Sequence, residues 1–350
     1  MKEGTIPSPS EPAAHNSDLT IVPYEDDDED SVIALLRTSL KGGTEDKWTH
    51  DFFRWKHLKN PFGRSYMTIA RSGDHVVGFR AFLRWSFVAG GRRFRAVRAV
   101  DTATHPDHQR RGIFRSLTLR ALSDLRGEID FVFNTPNTNS APGYLKMGWV
   151  EVGRLRFGVQ TRHPMRVAHH FLKRNSSQNH EKEQPVDARV LDESHTQAER
   201  LRNLMEVRSD TACLTTERSL AFIDWRYRQI PWTDYHTVSC ERNGVVEGMA
   251  IFRMRERFGL RETRICEFFS ENDSDVTTWL LREVGKVSKA DHVIVHHPSC
   301  KEPKMFHPRR KLIPVPKGIL LTAHPLGEDL VPDPSALDSW NLSLGDIELF

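Results

Sequence analysis

The chain has 350 residues and carries 50 basic against 47 acidic side chains, a formal charge of +3. The length favours two domains over one core, and the near-balanced charge gives no footprint for nucleic acid. No apolar run reaches the ~18 residues of a membrane helix, and the scattered Cys213, Cys240, Cys266 and Cys300, with no CxxC spacing, read as reduced thiols of a cytoplasmic protein.

Residues 1–18 include the polar "PSPSEPAAHNSD" and hold no apolar signal core, so a disordered lead-in is expected. The acidic "EDDDED" at 25–30 reads as a solvated helix start, and "SVIALLRTSL" at 31–40 has helical apolar spacing. From Phe52 the chain begins a segment that returns 170 residues later. Phe52 matches Phe222, Trp55 matches Trp225, Pro61 matches Pro231, Val76 matches Val246, Gly78 matches Gly248 and Phe82 matches Phe252. Matches at one offset over thirty residues, a Trp and a Pro among them, make the chain an internal repeat. Each copy predicts a short helix ending at a Pro turn, then a hairpin; in the first copy the hairpin turns at Ser72–Asp74.

"RFRAVRAVDTATHP" at 93–106 predicts a strand closed by Pro106, and "DHQRRG" then turns into a helix from about Gly112. A helix N-terminus offers unpaired amides and a partial positive charge, which suits a phosphate, and the arginines add to it. A basic turn facing solvent would read the same way, and the motif is neither a P-loop nor a dinucleotide fingerprint. The next segment, "EIDFVFNTPNTNSAPGYLKMGWVEVG" at 128–153, predicts a buried strand, a short helix and another strand.

Here the sequence resembles the GNAT superfamily of acyl-CoA-dependent N-acyltransferases. The family's phosphate loop, Q/R-x-x-G-x-G/A, stands as Gln109-Arg110-Arg111-Gly112-Ile113-Phe114. Its N-x-x-A-x-x-x-Y-x-K-x-G-F run stands as Asn137 to Trp149, with Tyr144 in place. Phe114 departs from the small residue of the pattern, and a ring filling the pyrophosphate pocket would defeat an enzyme reading. In having two such halves the chain is similar to the tandem-repeat enhanced-intracellular-survival aminoglycoside acetyltransferases.

The resemblance implies an α/β (α+β) fold of two tandem GNAT-like domains, each a mixed, mostly antiparallel central sheet flanked by helices. It implies acetyl-CoA as co-substrate, held between splayed strands at 100–104 and 129–134. Thr102, Ala103 and Thr104 would line the pantetheine, and residues 109–114 would hold the pyrophosphate. A main-chain N–H near Ala103–Thr104 would polarise the thioester. Tyr144 would donate a proton to the departing thiolate. Asn137 would hold the pantetheine or cap the short helix. Asp101 would orient or deprotonate the amine, or be a strand-edge charge with no such role.

The expected organisation is a lead-in at 1–18, a catalytic domain at 19–165, a linker at 166–187, a degenerate second domain at 188–325 and a tail at 326–350. "AERLRNLMEV" at 198–207 predicts the second half's first helix. The phosphate motif carried forward by 170 lands on Trp279, where no Q/R-x-x-G turn stands. His292, His296, His297 and His307 fit no standard zinc spacing, so no metal is expected. The apolar end "SWNLSLGDIELF" should dock back, with Asp346 or the terminal carboxylate within reach of a cationic amine.

The expected activity is N-acetyl transfer to a primary amine of a small molecule, an amino sugar or another amine-bearing metabolite. No nucleic-acid or membrane partner is expected, and a homodimer is one arrangement the sequence allows. The alternatives are a non-catalytic sensor or scaffold, and a tRNA-dependent aminoacyl transferase of the tandem-fold peptidoglycan-bridge kind, which Gln109–Gly112 argues against.

Overall fold

The computed structural model describes residues 19–39, 48–165, 204–205, 212–257, 259–270, 274–297, 299–300, 312–315 and 317–348. The elements of the first half are β1 (Leu19–Pro23), α1 (Glu29–Ser39), α2 (His50–His57), β2 (Tyr66–Ser72), β3 (His75–Ala89), β4 (Arg92–Thr104), α3 (Ile113–Leu125), β5 (Phe131–Asn134), α4 (Ala141–Lys146) and β6 (Val150–Thr161). Then come β7 (Thr215–Thr216), α5 (Leu220–Ile223), β8 (His236–Arg242), β9 (Val245–Arg257), β10 (Leu260–Ser270), α6 (Ser274–Val287), β11 (His292–His297), β12 (Ile313–Pro314), β13 (Ile319–Pro325) and α7 (Leu344–Ile347).

The starts of the helices follow from local chemistry. Thr49 caps α2 by accepting from the Phe52 amide, and Ser219 caps α5 by accepting from Phe222, two equivalent pairs in the two copies. Inside each repeat, two antiparallel strand pairs are followed by a helix and a parallel strand. β4 pairs with β5, and β10 with β11, in parallel. The remaining pairings are antiparallel, so the sheet is mixed and mostly antiparallel, with helices against it.

The two halves share one sheet of order β1-β2-β3-β4-β5-β13-β6-β11-β10-β9-β8. β13, from the second half, lies between β5 and β6, and β6, from the first half, pairs with β11. The halves have exchanged their last strands. Trp55 Nε1 donates to the Trp225 carbonyl at 2.6 Å, and Trp225 Nε1 donates to the Trp55 carbonyl at 2.8 Å, with the rings stacked at 5.2 Å. Residues equivalent by sequence thus meet each other reciprocally, as across a rotation axis. One core runs through both halves, with Phe52, Trp55, Phe79 and Trp85 beside Phe222, Trp225, Ile251 and Trp340.

The 170-residue offset holds only as far as the hairpins. Tyr66 opens β2 and His236 opens β8, but Phe131 opens β5 and His292 opens β11, an offset of 292 − 131 = 161. Of that change of nine, five falls between the third strand and the helix, where residues 105–112 stand in the first copy and 271–273 in the second; the rest falls earlier, the third strand opening at Arg92 and Leu260, an offset of 260 − 92 = 168, and closing at Thr104 and Ser270, an offset of 270 − 104 = 166. Trp279 is therefore not the counterpart of the basic turn, as a fixed offset implies; the second copy is shorter at that turn.

Two local expectations are corrected. Asp28 and Glu29 of the acidic run are buried and paired, Asp28 with Arg71 and Glu29 with Arg54 and His50. Cys213 and Cys300 form a disulfide, their Cα atoms 6.4 Å apart, whereas Cys240 and Cys266 are free and buried. Spacing in sequence hides this pair, because the β7 region and the end of β11 meet only in the fold. A cytoplasmic placement loses the support it drew from reduced cysteines. No described helix is long and apolar enough to cross a membrane. Apart from Leu204 and Met205, the helix expected at 198–207 lies outside the described residues, as do 1–18, 166–187 and His307.

Candidate functional site

The basic turn is a short 3-10 segment at Pro106–His108, then Gln109, Arg110, Arg111 and Gly112 leading into α3. Gln109 and Arg110 are exposed, and Arg110 takes a left-handed φ of 63°. Arg111 is held by His108, its Nη1 lying 2.9 Å from the ring Nδ1. Gly112 caps α3 at φ 76°, a conformation that disfavours a side chain, and no atom lies within 4 Å of where its Cβ would stand. The first bond of the helix runs from the Ser116 amide to the Gly112 carbonyl, so the amides of Gly112, Ile113 and Phe114 sit in the donor positions that a helix leaves open. Ile113 is buried against Gly78, but Phe114 is only half-buried and turns away from the bend. Its ring meets Tyr144 edge-on at 5.4 Å and lies beside Gly143. The ring thus packs toward Tyr144 and Gly143, and no atom stands within 4 Å of the Gly112 Cβ position.

β4 and β5 pair only at Ala96–Phe131, Val97–Val132 and Arg98–Phe133. Beyond Arg98, β4 continues to Thr104 with β3 on one edge alone, Thr102, Ala103 and Thr104 opposite Arg80, Phe79 and Gly78. A bulge at Asp101, where Arg80 faces Thr102 and Ala81 faces Val100, bends the strand there. The opening thus lies between 99–104 and the chain from Asn134 onward; most of 129–134 is on its closed side. Asn137 uses its side-chain oxygen to accept from the amides of Asn139 and Ser140, a cap ahead of α4. Tyr144 on α4 is 3% exposed, and its Oη accepts from Arg80 Nη2 at 2.7 Å. Arg80, at 0% exposed, was not singled out by the sequence reading. The signal was present, a cation inside the apolar strand "VVGFRAFL".

On the other face of β4, Asp101 is held by two side chains of α2, Lys56 and His57. Lys56 Nζ lies 2.7 Å and His57 Nε2 3.0 Å from the same carboxylate oxygen. His57 Nδ1 lies 2.9 Å from Ser65 Oγ. The carboxylate only accepts, so the network places the ring proton on Nε2 and leaves Nδ1 to accept from Ser65. Burial opposes the charge on Asp101, yet Lys56 and His57 outweigh it and hold the carboxyl well below its usual range. Burial lowers both Lys56 and His57, and Asp101 only partly offsets it. A carboxylate held this way anchors a cation and is a poor proton acceptor. Neither Lys56 nor His57 was foreseen, because the sequence separates them from Asp101 by more than forty residues.

The tail reaches this face by way of the second half. Asp346 is buried and pairs with Arg218 at 2.9 Å, so it is committed within the protein. Arg226, the counterpart of Lys56, donates to the carbonyls of Gly345 and Glu348, and Tyr227, the counterpart of His57, donates to Glu267. Arg98 of β4 donates to the carbonyls of Asp346 and Ile347. The terminal carboxylate lies outside the described residues. Among the described residues no group of His, Cys, Asp and Glu is arranged to hold a metal; His292 meets Glu262 and His296 meets the Arg156 carbonyl. Surface clefts lie elsewhere, one lined by Tyr24, Asp26, Arg64 and Arg84 and another by Arg156, Phe157, His297 and Leu337. Neither carries an acid–base arrangement like that at the β4–β5 opening, which is the candidate site.

Residues 20–152 match the family model described as an acetyltransferase (GNAT) domain. No protein of curated function matches the chain. Among solved structures, a GCN5-related N-acetyltransferase from Anabaena variabilis is similar with a TM-score of 0.63 at 12% identity, covering 88% of this chain and 73% of that one. A probable N-acyltransferase from Enterococcus faecalis is similar with a TM-score of 0.60 at 11% identity, covering 88% and 73%. Saccharomyces cerevisiae N-myristoyltransferase with bound myristoyl-CoA has a TM-score of 0.55 at 12% identity and covers 100% of this chain and 91% of that one.

Proposed function

We propose that the protein transfers an acetyl group from acetyl-CoA to a primary amine of a small molecule, with amino sugars the first class to test; the match of residues 20–152 to an acetyltransferase (GNAT) domain supports this reading. The observation that carries this reading is the open turn at Gly112 beside a strand opening that ends at Tyr144. The amides from Gly112 to Phe114, with Arg110 and Arg111, suit a diphosphate. The free edge of β4 at 99–104 suits a pantetheine arm added like a strand. A main-chain N–H at Ala103–Thr104 polarises the acyl carbonyl, and Tyr144 supplies the proton that the leaving sulfur needs. Asp101, kept ionised by Lys56 and His57, orients the incoming amine, which sheds its own proton to water before attack. Thr102 packs in β4 against β3 and Asn137 shapes α4, so both support the opening.

Calorimetric titration of the full chain with acetyl-CoA is the test. The wild type is expected to bind, Arg111→Glu to weaken binding by ~10-fold or more through loss and reversal of charge, and Tyr144→Phe to bind normally while thiol release with an amine panel falls by ~100-fold. A protein that retains the fold as a scaffold gives no heat with acetyl-CoA, and that result overturns the reading.

A further inference from the structure

We propose that Arg80 is the counter-charge for the thiolate that leaves the acyl group, an inference that rests on the acyltransferase reading above. Arg80 is 0% exposed on β3. Its Nη2 donates to Tyr144 Oη and its Nη1 to the Val100 carbonyl at 3.3 Å, while its Nε has no partner. The rings of Phe82, Phe114 and Tyr144 stand 4.5, 5.5 and 5.3 Å from the guanidinium. No carboxylate among the described residues pairs with it. Of the other buried arginines, Arg218 meets Glu267 and Asp346 and Arg253 meets Glu348, while Arg98 spends its donors on the carbonyls of Asp346 and Ile347 and on Thr135.

A guanidinium removed from water without an anion is expensive, and aromatic faces offset only part of that. Such a cation matches an anion that arrives and departs. Its position says which one. Val100 lies between Arg98, where β4 leaves β5, and the bulge at Asp101, and Tyr144, the proton donor of that reading, is bonded to Arg80 there. Because Tyr144 Oη accepts from Arg80, the hydroxyl's own proton is directed elsewhere. Arg80 Nε–H and Tyr144 O–H are thus two neighbouring buried donors without a described acceptor. A thiolate is large and weakly hydrated, as a guanidinium is, which suits the pair.

The step balances as follows. The amine lone pair forms the C–N bond, and the C–S bond breaks with its electron pair going to sulfur. Arg80 compensates that charge while the Tyr144 hydroxyl proton moves to sulfur, giving the thiol. The new amide nitrogen releases one proton to solvent, and the Tyr144 phenolate, beside Arg80, takes one back.

The test is calorimetric titration of the full chain with coenzyme A and with desulfo-coenzyme A from pH 6 to pH 9. A free thiol titrates near ~8.5, and each unit by which the site depresses it gives ~10-fold tighter binding of coenzyme A as pH rises toward that value. Wild type is expected to show this rise for coenzyme A relative to desulfo-coenzyme A, whose phosphates titrate alike. In Arg80→Met the ratio of the two affinities should become flat with pH, and in Arg80→Lys part of the slope should return. A flat ratio in wild type, or an unchanged slope in Arg80→Met, overturns the proposal; if Arg80→Met does not fold, the wild-type slope and its reduction in Arg80→Lys decide. If neither nucleotide binds wild type at any pH, the acyltransferase reading itself fails, a result distinct from binding without a slope.

Discussion

At Asp101 the backbone takes a φ of 27°, outside the comfortable range of an L-residue, and the side chain that results meets Lys56 and His57 together. Asp101→Asn removes the carboxylate that faces the buried Lys56 ammonium and is expected to cost about 3–5 kcal/mol in urea unfolding. The double change Asp101→Asn with Lys56→Met should recover most of that, because it removes both charges; equal losses in the single and double variants would mean the pair is not coupled. His296 offers a pH test. It is buried, donates through Nδ1 to the Arg156 carbonyl, and has no partner at Nε2, so burial lowers it from 6.5 to about 4. The unfolded chain binds the proton first, so stability is complete above pH 6.5 and falls as pH drops toward 4, by about 3 kcal/mol over the window. Thermal melts between pH 7 and 4.5 should show a loss that His296→Gln reduces. At this scale the sequence was legible where spacing is local, as in the turn at Gln109–Gly112 that leads into a helix at Ile113. Lys56 and His57 escaped because burial and partners are properties of the fold, and Cys213 with Cys300 escaped for the same reason, whereas Arg80 was marked by its place inside an apolar strand and was passed over.

Among the elements, α3 and α6 each lie on a strand that carries a glycine beneath them. A Cβ on Gly78 would stand 2.4 Å from Ile113 Cγ2, and one on Gly248 would stand 2.6 Å from Val276 Cγ1. The helix can approach the sheet this closely only because the side chain is missing, and in the first half that approach sets where the Gly112 turn points. Gly78→Ala is expected to cost about 1–3 kcal/mol by overpacking and to weaken coenzyme A binding. Ile113→Ala added to it should restore part of the stability, since the methyl in the way is gone; no restoration would show that the helix had not been displaced. The glycine pair was visible as one of the matched positions of the repeat. Its meaning was not, because a repeat reports equivalence and not contact. The shift in offset from 170 to 161 was invisible for a related reason: a single fixed spacing cannot follow changes of length spread over the third strand and the turn after it.

Across the whole molecule the halves are not separable at 165 and 188, since β6 belongs to the sheet region of the second half and β13 to that of the first. Residues 1–165 expressed alone lack the strand that covers β5 and leave β6 without β11. They are expected to aggregate, as exposed edges do; co-expression with 188–350 should return soluble, folded material. A soluble, cooperatively melting 1–165 fragment would contradict the shared sheet.

Trp55 and Trp225 trade the same hydrogen bond in both directions. Two free chains meeting in this way would associate by a second-order event that dilution opposes. Here the covalent thread fixes the local concentration of one partner about the other, so the meeting is a unimolecular closure, as insensitive to protein level as the bending of a hinge.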